Sequence, residues 1–191
     1  KVFADLFIDC TGFKSLLLGK HLGEEFISFS DLLPNDSAVS THLEYTDKQN
    51  QLNPYTECTA IDNGWVWNIP LWDRIGSGYV YSSKYLTKEQ SLIEFEQYLK
   101  YKGFDTSKCV FNHIDMRVGR HKRSWVDNVV AVGLSSGFIE PLESNGLFTV
   151  YRNLISLVKV LRRGVPSQFS KDIYNSDMKL VFDEFADFVA S

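Results

Sequence analysis

Several things are missing from this 191-residue sequence, and each absence excludes a class of protein. No Cys-x-x-Cys pair occurs, and the three cysteines, Cys10, Cys58 and Cys109, are odd in number and far apart. That spacing excludes a disulfide framework and a metal site of Cys/His type, and makes reduced thiols in a cytoplasmic protein the expectation. No apolar run is long enough to span a bilayer, and no signal-peptide pattern stands at the start. A surplus of positive charge is missing too: a net charge of -4 gives no general attraction to nucleic acid or an anionic membrane. Internal repeats and low-complexity linkers are absent. Position 1 is not Met, and both ends fall inside strand- or helix-like patterns, so the chain is expected to be a portion of a longer polypeptide.

What is present suits a folded domain. Apolar residues make up 44% and charged residues 23%, enough to build one substantial core. The aromatic share of 14% fits either that core or a cavity for a flat ligand. Residues 4–10 read as a buried strand followed by a turn at Thr11-Gly12, and Pro34-Asn35-Asp36 as a further turn before a strand over Ala38–Leu43. Tyr55–Ile61 alternates, Asp62-Asn63-Gly64 turns, and Trp65–Pro70 runs back, with Asn-Gly suited to the left-handed dihedrals of a type I′ hairpin. Period-2 alternation puts Trp65 and Trp67 on one face. Gly76-Ser77-Gly78 reads as a second hairpin turn. Thr87-x-x-Gln90 reads as a capping box opening a helix, and Ile114–Val118 and Val129–Val132 as strands. Apolar residues at 147, 150, 151, 154, 158 and 161 then predict a long amphipathic helix ended by Gly164-Val165-Pro166, with another over about 171–189. The fold class is α/β (α+β), an antiparallel sheet layer plus C-terminal amphipathic helices.

One segment stands out, Val132–Leu147, "VGLSSGFIEPLESNGL". A strand, a glycine loop and a helix start is the arrangement that binds anions, because unpaired N–H groups and the helix dipole point at one spot. Gly133, Gly137 and Gly146 omit side chains where a ligand could approach the backbone, and Asn145 and Gly146 would offer N–H groups. Glu143 at the helix start reads equally as a carboxylate complementing the dipole or as a functional group. Arg117, Arg120, Lys122 and Arg123 read as a solvated strand end, and His113 and His121 lack partners at metal-ligand spacing.

Three segments carry a resemblance. "GWVWNIPLWDRIGSGYVYSS" (Gly64–Ser83) resembles the Trp-x-Trp-x-Ile-Pro segment of flavin-dependent tryptophan halogenases. Val132–Leu147 resembles that family's Gly-Phe-x-Glu-Pro-Leu-Glu-Ser-Thr-Gly segment, and "ADLFIDCTGFKSLLLG" (Ala4–Gly19) its version of the Asp-Gly strand of class A flavin monooxygenases. The resemblance runs over roughly residues 1–165 and makes the chain the family's central portion. It implies strand and turn of the FAD domain over 1–20, sheet over 21–112, the FAD and halide loop with its helix over 113–165, and helix over 166–191.

It also implies an activity: reduced FAD, O2 and chloride or bromide yield hypohalous acid, which halogenates a small aromatic, tryptophan- or indole-like substrate. FAD contacts are implied at Gly133, Leu134, Gly137, Pro141 and Leu147, and halide contacts at the amides of Asn145 and Gly146. Glu143 would orient the halogenating species or stabilise the cationic arenium intermediate, with Ser144 assisting. Trp65 and Trp67 would screen the flavin from the organic substrate. A separate flavin reductase is the implied partner, a homodimer is allowed, and the setting would be cytoplasmic antibiotic biosynthesis. One departure matters: Asn145 stands where the family usually has Thr. Leu134 stands where hydroxylases have the Asp that holds the ribityl chain, which favours halogenase over hydroxylase. The family's Gly-x-Gly-x-x-Gly unit and essential lysine lie upstream of the matched segments, so the chain alone is expected to be inactive. An aromatic hydroxylase on the same scaffold and a non-catalytic binding domain using the aromatic sheet face are the alternatives.

Overall fold

A computed structural model describes residues 2–191, the Glu143 side chain excepted. In chain order its elements are β1 (Phe7–Asp9), β2 (Phe26–Ser28), β3 (Ser37–Leu43), α1 (Lys48–Gln51), β4 (Glu57–Ile61), β5 (Gly64–Pro70) and β6 (Ile75–Tyr81). Then come α2 (Lys88–Tyr101), β7 (Asn112–Asp115), β8 (Gly119–His121), β9 (Trp125–Val126), β10 (Val129–Ala131), β11 (Gly137–Phe138), α3 (Asn145–Leu161) and α4 (Gln168–Ala190). They form two compact units, one made by the chain up to Leu33 together with Arg117–Ser191, the other by Pro34–Met116. Both mix helix with antiparallel strands, as the α/β (α+β) reading expects.

The second unit is a five-stranded antiparallel sheet in the order β4-β5-β6-β3-β7. One face buries Val39, Leu43, Val66, Ile75, Tyr79 and Tyr81 against Phe95, Tyr98 and Leu99 of α2. Helix α2 starts where the capping box predicts it: Gln90 N–H donates to Thr87 Oγ1 at 3.2 Å, and Thr87 N–H donates to Gln90 Oε1 at 2.9 Å. The opposite face carries Ala38, Val80 and Trp65, with Trp67 packed against them.

Both glycine turns of this unit need correction. Gly76-Ser77-Gly78 lies inside β6 instead of at a turn; the chain reverses at Leu71–Arg74, where Leu71 N–H donates to Arg74 O at 2.8 Å. The hairpin loop before β5 is Asp62-Asn63, and Gly64 already pairs with Ile61 and Tyr81. Neither Asn63 nor Gly64 adopts positive φ, so the type I′ expectation fails. Gly64 is demanded instead by close approach, since a Cβ there would lie 2.0 Å from the Val80 carbonyl oxygen. Elsewhere, the turn expected at residues 34–36 falls earlier, with Leu32 N–H donating to Phe29 O, and the strand expected over 114–118 ends at Asp115 with β7, leaving 116–118 as the connection to β8.

In the first unit β1 runs parallel to β10, which pairs antiparallel with β9, and β11-β8-β2 forms a second small sheet. Helices α3 and α4 close a core of Trp125, Val130, Val132, Leu157, Val160, Tyr174, Met178 and Val181. The basic run is not a solvated strand end throughout: Arg120 is buried, its Nε and Nη2 donating to the Asp183 carboxylate at 2.7 and 3.0 Å. The expected apolar stripe of α3 is also turned around. Leu147 is 84% and Tyr151 61% exposed, whereas Asn145, Thr149, Asn153, Ser156, Leu157 and Val160 face inward. Of the predicted stripe, only Val150 packs on the core. Among the described helices none is long and apolar enough to cross a membrane.

Replacing Thr87 by Ala removes one half of the capping box outright and should destabilise the fold by about 1 kcal/mol. The check is urea unfolding, where the midpoint falls while the denaturant slope is unchanged.

Candidate functional site

The site is built outward from Asp9, the last residue of β1, which is fully buried. Its Oδ2 accepts from the Leu17 and Leu18 N–H groups, both at 2.9 Å, at the start of the π-helical turn Leu16–His21. Its Oδ1 accepts from Thr11 N–H at 3.1 Å and Thr11 Oγ1 at 2.6 Å. Burial alone would raise the carboxyl pKa, but these hydrogen bonds to the ionised form outweigh it and leave the pKa lowered. On the main chain, Asp9 O accepts from Val132 N–H at 3.0 Å, at the point where β10 passes into the glycine loop. One residue thus anchors both the turn after β1 and the departure of the loop.

From Val132 the loop makes a tight helical turn (Gly133–Ser135), the short strand β11 and a second tight turn (Pro141–Glu143), and then enters α3. Its three glycines do different things. Gly133 sits at φ +67°, its N–H donating to Asn153 Oδ1 of α3 at 2.9 Å. Gly137 is packed against β8, where a Cβ would meet Gly119 O at 2.7 Å. Only Gly146 opens to space, with nothing within 4 Å of an added Cβ. The reading that all three glycines admit a ligand is therefore narrowed to one; the other two admit protein.

Ser144 links the second tight turn to α3 in the left-handed region, at φ 53° and ψ 28°, and its side chain does not cap the helix. No acidic residue lies in the first turn of α3 itself, so its dipole, worth about half a positive charge, is not neutralised there by a side chain. The first N–H groups of a helix have no partner within it, which makes this end a suitable anion seat. Asn145 is buried; its Nδ2 donates to Glu140 O at 3.1 Å, and its Oδ1 has no hydrogen-bond partner among the described residues. Leu134 is 38% exposed and Leu147 is open to solvent, giving apolar surface before and after the helix start. Pro141 is half-buried at the head of its turn, and the side chain of Glu143 lies outside the described residues.

Beside Asp9, Arg117, which the sequence reading put on a solvated strand end, forms a pair with His121. The Arg117 guanidinium stands 4.3 Å over the Phe26 ring, and its Nη2 lies 3.2 Å from His121 Nε2. His121 Nδ1 is 3.1 Å from Glu24 O, which fixes the proton on Nδ1 and leaves Nε2 as the acceptor for arginine. Burial, and then the Arg117 charge, lowers the His121 pKa. Asn153, whose side chain reaches back to Gly133, was missed as well. Its position on the polar stripe of α3 was the available signal. Glu140, also buried, was passed over in favour of Glu143.

Trp65 and Trp67 belong to the other unit. Their ring centroids are 6.0 Å apart with planes inclined at 57°, on one face of β5 as the alternation predicts. Trp65 is buried and Trp67 half-buried. Among the described residues no group of His, Cys, Asp and Glu could hold a metal ion.

Comparison with known proteins places this geometry. The family model for tryptophan halogenase matches residues 1–191. The 7-chloro-L-tryptophan 6-halogenase KtzR of Kutzneria sp. (strain 744) is 42% identical over 189 residues, covering 99% of this chain and 36% of the relative. Among solved structures, the VirX1 apo structure superposes with a TM-score of 0.93 at 47% identity, covering 99% of this chain and 36% of that one. Tar14, a tryptophan C-6 flavin-dependent halogenase (chlorinase) from taromycin biosynthesis, gives 0.90 at 45% identity, covering 98% and 37%. The chain spans about a third of the length of the relatives it matches.

Asp9→Asn should lower stability at neutral pH by about 1–3 kcal/mol, because the neutral amide cannot accept four hydrogen bonds as the carboxylate does. A lowered native pKa stabilises above the unfolded value and loses that increment as pH falls through the native one. The gap between wild type and Asp9→Asn in chemical denaturation should therefore persist down to about pH 4 and shrink below it.

Proposed function

The chain belongs to the tryptophan halogenase family, and from that membership we propose that the protein containing it is a flavin-dependent halogenase. It takes reduced FAD, O2 and chloride or bromide and halogenates an indole-bearing aromatic substrate. When bound, reduced FAD would activate O2, which supplies the oxidising equivalent that converts halide to hypohalous acid while its second oxygen leaves as water. The observation that carries the reading is the start of α3, where an open glycine follows a left-handed serine and the first helical turn holds no acid. A halide fits that end, since its charge is met by backbone N–H groups in place of a counter-ion. A flat ring fits the apolar surface of Leu134 and Leu147 on either side.

The residues divide the work. Asn145 and Gly146 hold the halide through the backbone; the Asn145 side chain is turned to Glu140 O through its amide nitrogen. The substitution of Asn for the family's Thr thus leaves the amide seat intact. Gly133, Gly137 and Pro141 shape the loop against which the flavin lies, in an FAD-binding fold like that of class A flavin monooxygenases. Glu143 orients the halogenating species or stabilises positive charge on the substrate ring as halogen adds, which a fixed carboxylate can do without reorganising. Ser144 assists from the adjoining position. Trp65 and Trp67 keep the organic substrate away from the flavin. A separate cytoplasmic flavin reductase supplies the reduced cofactor, with the unit made by the chain up to Leu33 and Arg117–Ser191 serving the flavin and the Pro34–Met116 unit providing the shielding sheet.

The test uses the full-length protein with a flavin reductase, FAD and bromide or chloride. Indole substrates should gain the mass of one halogen, and finding only hydroxylated or unchanged indole would exclude the reading. Glu143→Gln should lower the halogenation rate by about 10²-fold or more while flavin binding, followed by absorbance titration, is retained.

A further inference from the structure

The two tryptophans of β5 do not sit alike. Trp65 is opposite Val80 of β6, whereas Trp67 is directly opposite Gly78. In an antiparallel pair such residues point to the same face. Here one of them has no side chain, and the indole of Trp67 occupies the place that side chain would take. A Cβ built on Gly78 would lie 2.1 Å from Cζ2, 2.2 Å from Cη2 and 2.7 Å from Cε2 of the Trp67 ring. The ring therefore lies across the β6 backbone, in contact with it at a distance no other residue at 78 would permit.

The main chain beneath is pinned from the other face. Ser77 Oγ is 3.1 Å from Trp67 O and 2.6 Å from Asn68 Oδ1. Asn68 Nδ2 donates to Tyr98 Oη at 3.3 Å, and Tyr98 Oη to Thr59 Oγ1 at 3.2 Å. With its backbone so held and its ring flattened by the sheet below and Trp65 beside it, Trp67 cannot yield by shifting its strand; only its side-chain torsions can move. Gly76 offers an internal control. It precedes Gly78 by two positions on the same strand and face, yet a Cβ there would find only Ile69 O, at 3.9 Å.

We propose that Gly78 is the positioning residue for Trp67: its missing side chain seats the indole flat on the sheet, and that pose makes the ring a screen. The functional half of this statement depends on the screening role given to Trp67 above; the seating itself stands on the contacts within the sheet.

The experiment is a mutant cycle in the full-length protein with Gly78→Ala, Gly76→Ala and Trp67→Ala. Gly78→Ala should lower the melting temperature by several degrees when Trp67 is present and have little effect, or a small gain, in the Trp67→Ala background. Gly76→Ala should be near neutral in both. If Gly78→Ala prevents folding altogether, the Trp67→Ala double variant should fold again. An equal loss in both backgrounds, or a double variant that stays unfolded, overturns the seating. With FAD, the reductase, halide and an indole, Gly78→Ala and Trp67→Ala should each raise the share of hydroxylated over halogenated product several-fold, while Gly76→Ala leaves it unchanged. Coupling in the melts with an unmoved product ratio overturns the screening half and leaves the seating in place.

Discussion

A buried carboxylate that stays charged is the constraint on which the first unit depends. Asp9 lies at the end of the only described parallel strand pair, and an ionised side chain there is tolerated because four donors converge on it. The donors are not incidental. Two are N–H groups at the head of the π-helical turn, which would otherwise point at nothing, and two come from Thr11, whose hydroxyl oxygen in turn accepts from Leu16 N–H at 2.7 Å. The same residue's carbonyl fixes Val132. The path of the glycine loop is thereby set by a residue more than a hundred positions earlier in the chain. From there the loop is held by α3, through Asn153 and Gly133, and by β8, through Gly137. The start of α3 is placed by contacts on both sides of it.

How much of this was legible in the sequence depends on whether a feature was local. The capping box at Thr87 and Gln90 was, because both partners lie within one turn of helix. So was the pairing of Trp65 and Trp67 on one face, which follows from strand geometry alone. The family resemblance was legible for the same reason, being carried by short contiguous segments. Glycine was the least legible residue. At 64, 78 and 137 its reason is a neighbour distant in sequence: a carbonyl of β6, an indole of β5, the backbone of β8. Nothing nearby distinguishes such a glycine from one that turns the chain, and Gly76-Ser77-Gly78 was misplaced as a turn on that account.

Helix α3 shows a different limit. Its periodicity was correctly taken as that of a helix, but periodicity does not say which stripe is turned inward. The N-terminal part of the inward stripe is polar because there the helix packs on the loop, whereas Leu157 and Val160 further along join the apolar core shared with α4. Thr149 Oγ1 donates to Gly146 O at 2.8 Å, Asn153 engages Gly133 and Met178, and Asn145 engages Glu140. A loop presents many backbone groups that need partners, and short polar side chains meet that need better than leucine would. The loop and the start of α3 therefore stood out in the sequence, while the side chains that brace them, Asp9 and Asn153, went unnoticed.

The left-handed backbone at Ser144 bears on how variants of this loop should be interpreted. A residue branched at Cβ is strongly disfavoured at such dihedrals, whereas asparagine and glycine are accommodated. Threonine, the customary hydroxyl-preserving swap, is for that reason a poor probe at this position: any defect it produced would report a wrenched junction ahead of α3 instead of an altered hydroxyl. Alanine with an asparagine counterpart separates chemistry from conformation, since the first deletes the oxygen and the second keeps the bend.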